Sequence, residues 1–155
     1  MSQVNGGDEA MRKLGTTLPV PEFDTTAFTV PAKPLAASTV AIVTSAALHR
    51  QGHEGFVPGD TRFEAIDRAE RDLVLGHWSP NFDRTGFQID LNVVYPIDRL
   101  EELAADGVIG EVAPTHYAFA GNQPDTVSEI RLDTGPACAR ALLAAGVDVV
   151  VLTPV

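Results

Sequence analysis

PACARALLAAGVDVVVLTPV, residues 136–155, sets an amphipathic run, a glycine and an apolar β-branched run in immediate succession. Residues 136–145 predict a helix, because Ala and Leu are strong helix formers and proline is tolerated in a first helical turn. Gly146 ends it, since the left-handed residue that closes a helix is least strained as glycine. Residues 148–152, DVVVL, then read as a buried strand. Helix, glycine and apolar strand make the second half of a βαβ unit, and such units build parallel sheets.

A partner for that strand lies upstream. TVAIVT, residues 39–44, is a short β-branched run between small residues, as expected of a parallel strand covered on both faces. Residues 45–60, with Gly52, Gly55, Pro58 and Gly59, read as a loop. Residues 63–66 and 72–78 are candidate strands around a charged turn. In NVVYPIDRLEELAADGVIG, residues 92–110, Pro96 suits a helix start. Ile97, Leu100, Leu103 and Ala104 share one helical face, and Gly107 suits the closing position. Residues 116–119 predict a strand, and residues 126–132 a helical stretch broken at Gly135 and Pro136. The fold class is therefore α/β: an open, mainly parallel sheet with flanking helices. It is expected to be incomplete on its C-terminal side, because a parallel strand normally runs on into a covering helix and none follows Leu152. The last strand of a finished domain is the other reading of the same pattern. Residues 1–15 read as a disordered leader, residues 16–38 as a Pro-rich extended arm, and residues 39–155 as the α/β domain.

The totals restrict the function. At 155 residues the chain suits one domain. Its 21 acidic against 11 basic residues give a net charge of −10, which repels phosphate backbones and anionic lipid, so neither nucleic acid nor membrane is expected as a partner. No apolar run approaches the roughly 20 residues that span a bilayer, and the polar N-terminus lacks the apolar centre of a signal peptide, so a cytoplasmic location is expected. The single Cys138 has no disulfide partner in the chain and lies among alanines, which favours a small core residue. No glycine-rich phosphate motif occurs.

The densest polar cluster is His77, Ser79, Asn81, Asp83 and Arg84, beginning where a candidate strand ends. Arg84 has the planar fork that grips a carboxylate through two parallel hydrogen bonds, and His77 titrates near neutrality. Capping within a tight turn explains Asn81, Asp83 and Arg84 equally well. Thr44 and Ser45 stand at the end of the first strand, placed either to donate to an anionic ligand or to form a turn. His116 and Tyr117 point to opposite faces of a short strand, so one is expected to reach a site while the other packs. Thr153 ends the last strand. His49 and His53 lack a third ligand, and no metal site is expected.

Three blocks carry a resemblance: HWSPNFDRTGFQIDLNVVYPIDRLEELAADGVIG at residues 77–110, APTHYAFAG at 113–121 and ALLAAGVDVVVLTPV at 141–155. In them the chain resembles the component B selenoprotein of the glycine, sarcosine, betaine and D-proline reductases, in its shorter actinobacterial-type branch. The resemblance implies reductive cleavage of a C–N bond α to a carboxylate. It implies a selenocysteine or cysteine nucleophile just after Val155, with a second cysteine two residues on, so that none of the residues present is the nucleophile. A selenocysteine codon read as stop would end the chain at Val155. No cofactor is expected within the chain; a pyruvoyl group on a partner subunit is implied for the glycine and proline enzymes. The implied partners are a small amino-acid or betaine-like carboxylate and other reductase subunits, and a homo-oligomer is compatible. Thr44, Ser45, His77, Ser79, Asn81, Asp83, Arg84, His116, Tyr117 and Thr153 are the candidate substrate-binding residues. Two other classes fit the residues: a non-catalytic carboxylate-binding or partner subunit, and a lyase or racemase-like enzyme with His77 or His116 as base.

Overall fold

Three consecutive buried residues, Val40, Ala41 and Ile42, lie in β1 (Thr39–Thr44), so this strand is covered on both faces. The structure is a computed structural model that describes residues 13, 16–17, 29–78, 84–121, 123 and 129–155. Apart from residue 13 the expected leader lies outside these residues, as do residues 18–28 of the arm. The chain divides into two units, Met1–Val30 and Pro31–Val155. In the first, the Thr16 hydroxyl donates to the Lys13 carbonyl at 2.8 Å. In the second, Leu35–Ala37 form one tight turn of helix where the sequence suggests an extended arm. The Gly110 N–H reaches the Leu35 and Ser38 carbonyls, both at 3.0 Å.

Around β1 the sheet is mainly parallel. After β2 (Leu48–Arg50), β3 (Phe63–Asp67) and β4 (Leu73–Leu75) come β5 (Glu111–Val112), β6 (Thr115–Phe119) and β7 (Val149–Thr153). Strand β7 pairs in parallel along one edge of β1, from Val40 opposite Val149 to Thr44 opposite Thr153. Strands β5 and β6 follow one another along the other edge, also parallel, and β3 joins β6 antiparallel. The pairing steps from Val40 opposite Val112 to Val43 opposite Tyr117, so three steps of β1 match five of its neighbour. The two extra residues bulge at Ala113 and Pro114, where proline has no N–H for the ladder. This break would orphan the Ile42 N–H; instead it donates to Nδ1 of His116 at 2.9 Å.

The helices are α1 (Thr85–Ile89), α2 (Ile97–Ala105) and α3 (Gly135–Ala144). Alternation along β1 sends Val40 and Ile42 to the face packed by Ile97 and Leu100 of α2, and Ala41 to the face packed by Cys138 and Leu142 of α3. Complete burial of a side chain such as Ile42 contributes about 1.5–3 kcal/mol. Pro96 precedes α2, and the side-chain oxygen of Asn92 accepts from the Asp98 N–H at 3.0 Å, satisfying one of the donors a helix start leaves open. Gly107 closes α2 with φ +70°.

Three expectations are corrected. The loop at residues 45–60 contains β2, a three-residue strand whose ladder partner β4 lies far along the chain, beyond reach of a local turn signal. The break expected at Gly135 and Pro136 is a continuation. A wide turn over Ile130–Thr134 feeds directly into α3, its Gly135 N–H bonded to the Ile130 carbonyl, and Pro136 falls in the first turn, where no donor is needed. Strand β7 is half-buried, with Leu152 72% exposed, because β1 is its only ladder partner among the described residues.

Candidate functional site

Because β1, β6 and β7 run parallel, their carboxyl ends meet on one side of the sheet, where ligands bind in folds of this class. A cleft of about 620 Å³ lies there. Its walls are Val43 to Ser45, Phe119 to Gly121 and Thr153 to Val155 from the strand ends, with Ile130, Gly135, Cys138 and Leu142 from the helical side.

Hydrogen bonds fix this edge. The Ser45 N–H donates to the Thr153 carbonyl at 3.2 Å, and the Ala46 N–H to the Thr44 hydroxyl at 3.2 Å. The chain then reverses through Ala47, whose φ of +54° is unusual for a residue with a side chain. The Ala47 N–H bonds the Phe119 carbonyl at 2.8 Å, which holds that conformation. The Thr153 hydroxyl donates to the Val94 carbonyl at 3.2 Å. Beyond it, the Val155 N–H donates to the Ser45 hydroxyl oxygen at 2.9 Å, and that hydroxyl lies 3.4 Å from the Val155 carbonyl.

His77 joins the same corner. It is only 3% exposed, and its ring stands near the Val155 backbone. Burial lowers its pKa, the nearby Val155 backbone opposes this, and the positive charge of Arg84 lowers it further, all of which together disfavour the charged ring. The sequence-predicted residues thus separate. Thr44, Ser45 and Thr153 line the cleft, and His77 touches its end at Val155. Arg84 is exposed and donates through Nη2 to the His77 carbonyl, so here its fork steadies the chain around His77. Ser79, Asn81 and Asp83 lie outside the described residues.

His116 and Tyr117 do point to opposite faces, but neither lines the cleft. His116 is fully buried, with its ring edge-on to Tyr95 at 5.5 Å. Tyr117 packs edge-on against Phe63 at 5.4 Å on the α3 side. Sequence reasoning missed Cys138 as a cleft residue, and missed Gly121 and Gln123. The turn signal after residue 119 points to the latter two, since a turn at a carboxyl edge borders the site. Burial pushes the Cys138 thiol up to about 11, which keeps it protonated near neutrality. Among the described residues the cleft lining holds no Arg or Lys, so its polar contribution is hydroxyls, backbone groups and the Gln123 amide.

The family described as Glycine/sarcosine/betaine reductase selenoprotein B (GRDB) matches residues 10–155. The chain belongs to this family. Two relatives are similar over most of the chain's length. The D-proline reductase subunit gamma of Acetoanaerobium sticklandii is 36% identical over 124 residues, covering 78% of this chain and 50% of that protein. The glycine reductase complex component B subunit gamma of Carboxydothermus hydrogenoformans is 31% identical over 144 residues, covering 89% and 33%. The chain thus spans half or less of these relatives. No solved structure matches. No helix among the described residues is long and apolar enough to cross a membrane.

Proposed function

We propose that this chain is part of a reductase subunit that cleaves a C–N bond α to a carboxylate in a small amino-acid or betaine-like substrate. On this reading the reactive selenocysteine or cysteine stands directly after Val155, and the subunit works with other reductase subunits. The observation that carries it is the course of residues 153–155 along the wall of a cleft at the carboxyl edge, in a chain of the selenoprotein B family. The resemblance in residues 141–155 supports the same placement.

That residue, ionised, would supply the electron pair that bonds to the α-carbon as the amine leaves with the C–N pair and a proton; a dithiol donor supplies the two electrons overall and ends as a disulfide. The chain's own residues shape the surroundings. The apolar lining from Val43, Phe119, Leu142 and Val150 excludes water from an ionised nucleophile, which strengthens every polar contact made there. Thr44 brings a hydroxyl to the edge where a carboxylate would lie. With no guanidinium or ammonium among the described lining, full neutralisation of the carboxylate falls to groups beyond those residues or to a partner subunit. A pyruvoyl group on a partner belongs to the same reading for primary-amine substrates.

The test is to express the reading frame through and beyond codon 155 and to measure amine release from glycine, sarcosine and betaine, and ring opening of D-proline to 5-aminovalerate, with a dithiol as reductant, in the presence of the partner subunits. Release from at least one substrate, abolished when the residue after Val155 is changed to alanine, is expected. Absence of a Cys- or selenocysteine-bearing frame there, or release that survives the change, overturns the reading.

A further inference from the structure

We infer that Ser45 and His77, meeting at Gly121, form a clamp on Val155 and act as positioning residues for the group that follows it; this rests on the reading just proposed. Pro154 stops the ladder. Ladder pairing of β7 with β1 ends at Thr153 opposite Thr44, and a proline next in line has no N–H with which to continue it. The polar groups of Val155 therefore need other partners. The N–H has the Ser45 hydroxyl at 2.9 Å, the carbonyl lies 3.4 Å from the same hydroxyl, and the buried His77 ring stands beside this corner, close against Gly121.

Gly121 explains why the three can meet. A Cβ at this position would stand 2.5 Å from Nε2 of His77 and 2.7 Å from the Ser45 carbonyl oxygen, distances no real side chain tolerates. The absent side chain is thus the space in which the His77 ring and the Ser45 backbone pack. Behind His77, Arg84 ties down its carbonyl and the Trp78 ring stacks at 6.4 Å.

Holding the backbone at Val155 fixes the direction in which the next residue leaves the sheet edge. A reactive atom displaced by about 1 Å can lose about a hundredfold in rate, so such a grip bears on turnover more than on substrate affinity. Ser45 and His77 then differ from substrate ligands in a measurable way.

Two measurements test this. In the 155-residue chain, Ser45→Ala, His77→Gln and Gly121→Ala are expected to speed hydrogen exchange at the Val155 amide at least tenfold. The Ile42 amide, in the centre of the sheet, reports whether each variant is folded and should be unchanged. Ser45→Thr, which keeps the hydroxyl, should restore protection. Unchanged Val155 exchange in folded Ser45→Ala and His77→Gln overturns the clamp, whatever Gly121→Ala does. In the full gene product with its partner subunits, the same two substitutions should lower kcat tenfold or more with KM within twofold. A raised KM with kcat preserved makes them substrate ligands and overturns the proposal. If the unsubstituted product shows no turnover, the proposed reaction fails, while Val155 exchange still decides the clamp.

Discussion

Replacing His116 by asparagine should remove most of the acid sensitivity of folding between pH 7 and 4.5. His116 is fully buried, and its Nδ1 must stay unprotonated to accept from Ile42. Its pKa falls from 6.5 to about 4, chiefly through burial and secondarily through the charges of Arg68 and Arg71. An unfolded chain binds this proton near 6.5 and the folded one only near 4, so stability is intact above 6.5 and drains away as the pH falls toward 4. At pH 4.5 the loss from this one ring is about 2.5 kcal/mol, a large share of a typical domain's stability. The carboxylates held below their ordinary 3.8, such as Asp98 beside Asn92 and Asp148 beside Lys33, lose their contribution only at lower pH. The lowered pKa of His77 acts in the same direction but is common to both proteins. Asparagine offers an oxygen close to the place of Nδ1 without a titrating ring. Urea unfolding followed by Trp78 fluorescence at pH 7.0 and 4.5 should show wild type losing roughly 2–3 kcal/mol more than His116→Asn. Equal losses would refute the assignment of the acid sensitivity to His116.

Cys138, its thiol raised to about 11, should resist iodoacetamide at pH 8 in the folded chain and react readily in urea; rapid native labelling, followed by mass spectrometry, would contradict that burial. Thr153→Val removes the hydroxyl that donates to the Val94 carbonyl and should lower unfolding free energy by about 1 kcal/mol, read from the urea midpoint. Asn92→Ala strips the start of α2 of its side-chain acceptor and should cost about 1 kcal/mol in thermal or urea unfolding, with no effect at the cleft.

The outline of the fold was legible because it depends on local pattern. TVAIVT and DVVVL carry β-branched runs, Gly107 and Gly146 sit where helices must reverse, and the pleat places His116 and Tyr117 on opposite faces. Strand β2 was not legible, because three residues give no period and its partner is remote in sequence. Nor was the role of His116: the bulge at Ala113 and Pro114 that creates a need for its lone pair exists only once β5 and β6 are laid beside β1. At the carboxyl edge, Thr44, Ser45 and Thr153 were found as strand ends. Cys138 was read as core and is buried, yet it also faces the cleft, since a helix packed over a sheet end shows some of its small residues to the opening. Arg84 illustrates the converse: a guanidinium suited to carboxylates is here engaged by the carbonyl of His77.

The outer rim of β7 carries its own consequence. Val149–Thr153 form a ladder with β1 alone among the described residues, and Leu152 projects beside that rim into water. A rim of amide and carbonyl groups is a template on which a further strand can grow, and mutual repulsion between molecules of net charge −10 opposes such pairing between copies of this chain. Added salt shortens the range of that repulsion to about 8 Å at physiological strength. Solutions of the 155-residue chain should therefore grow less monodisperse as salt rises, and a lysine at position 152 should keep them dispersed.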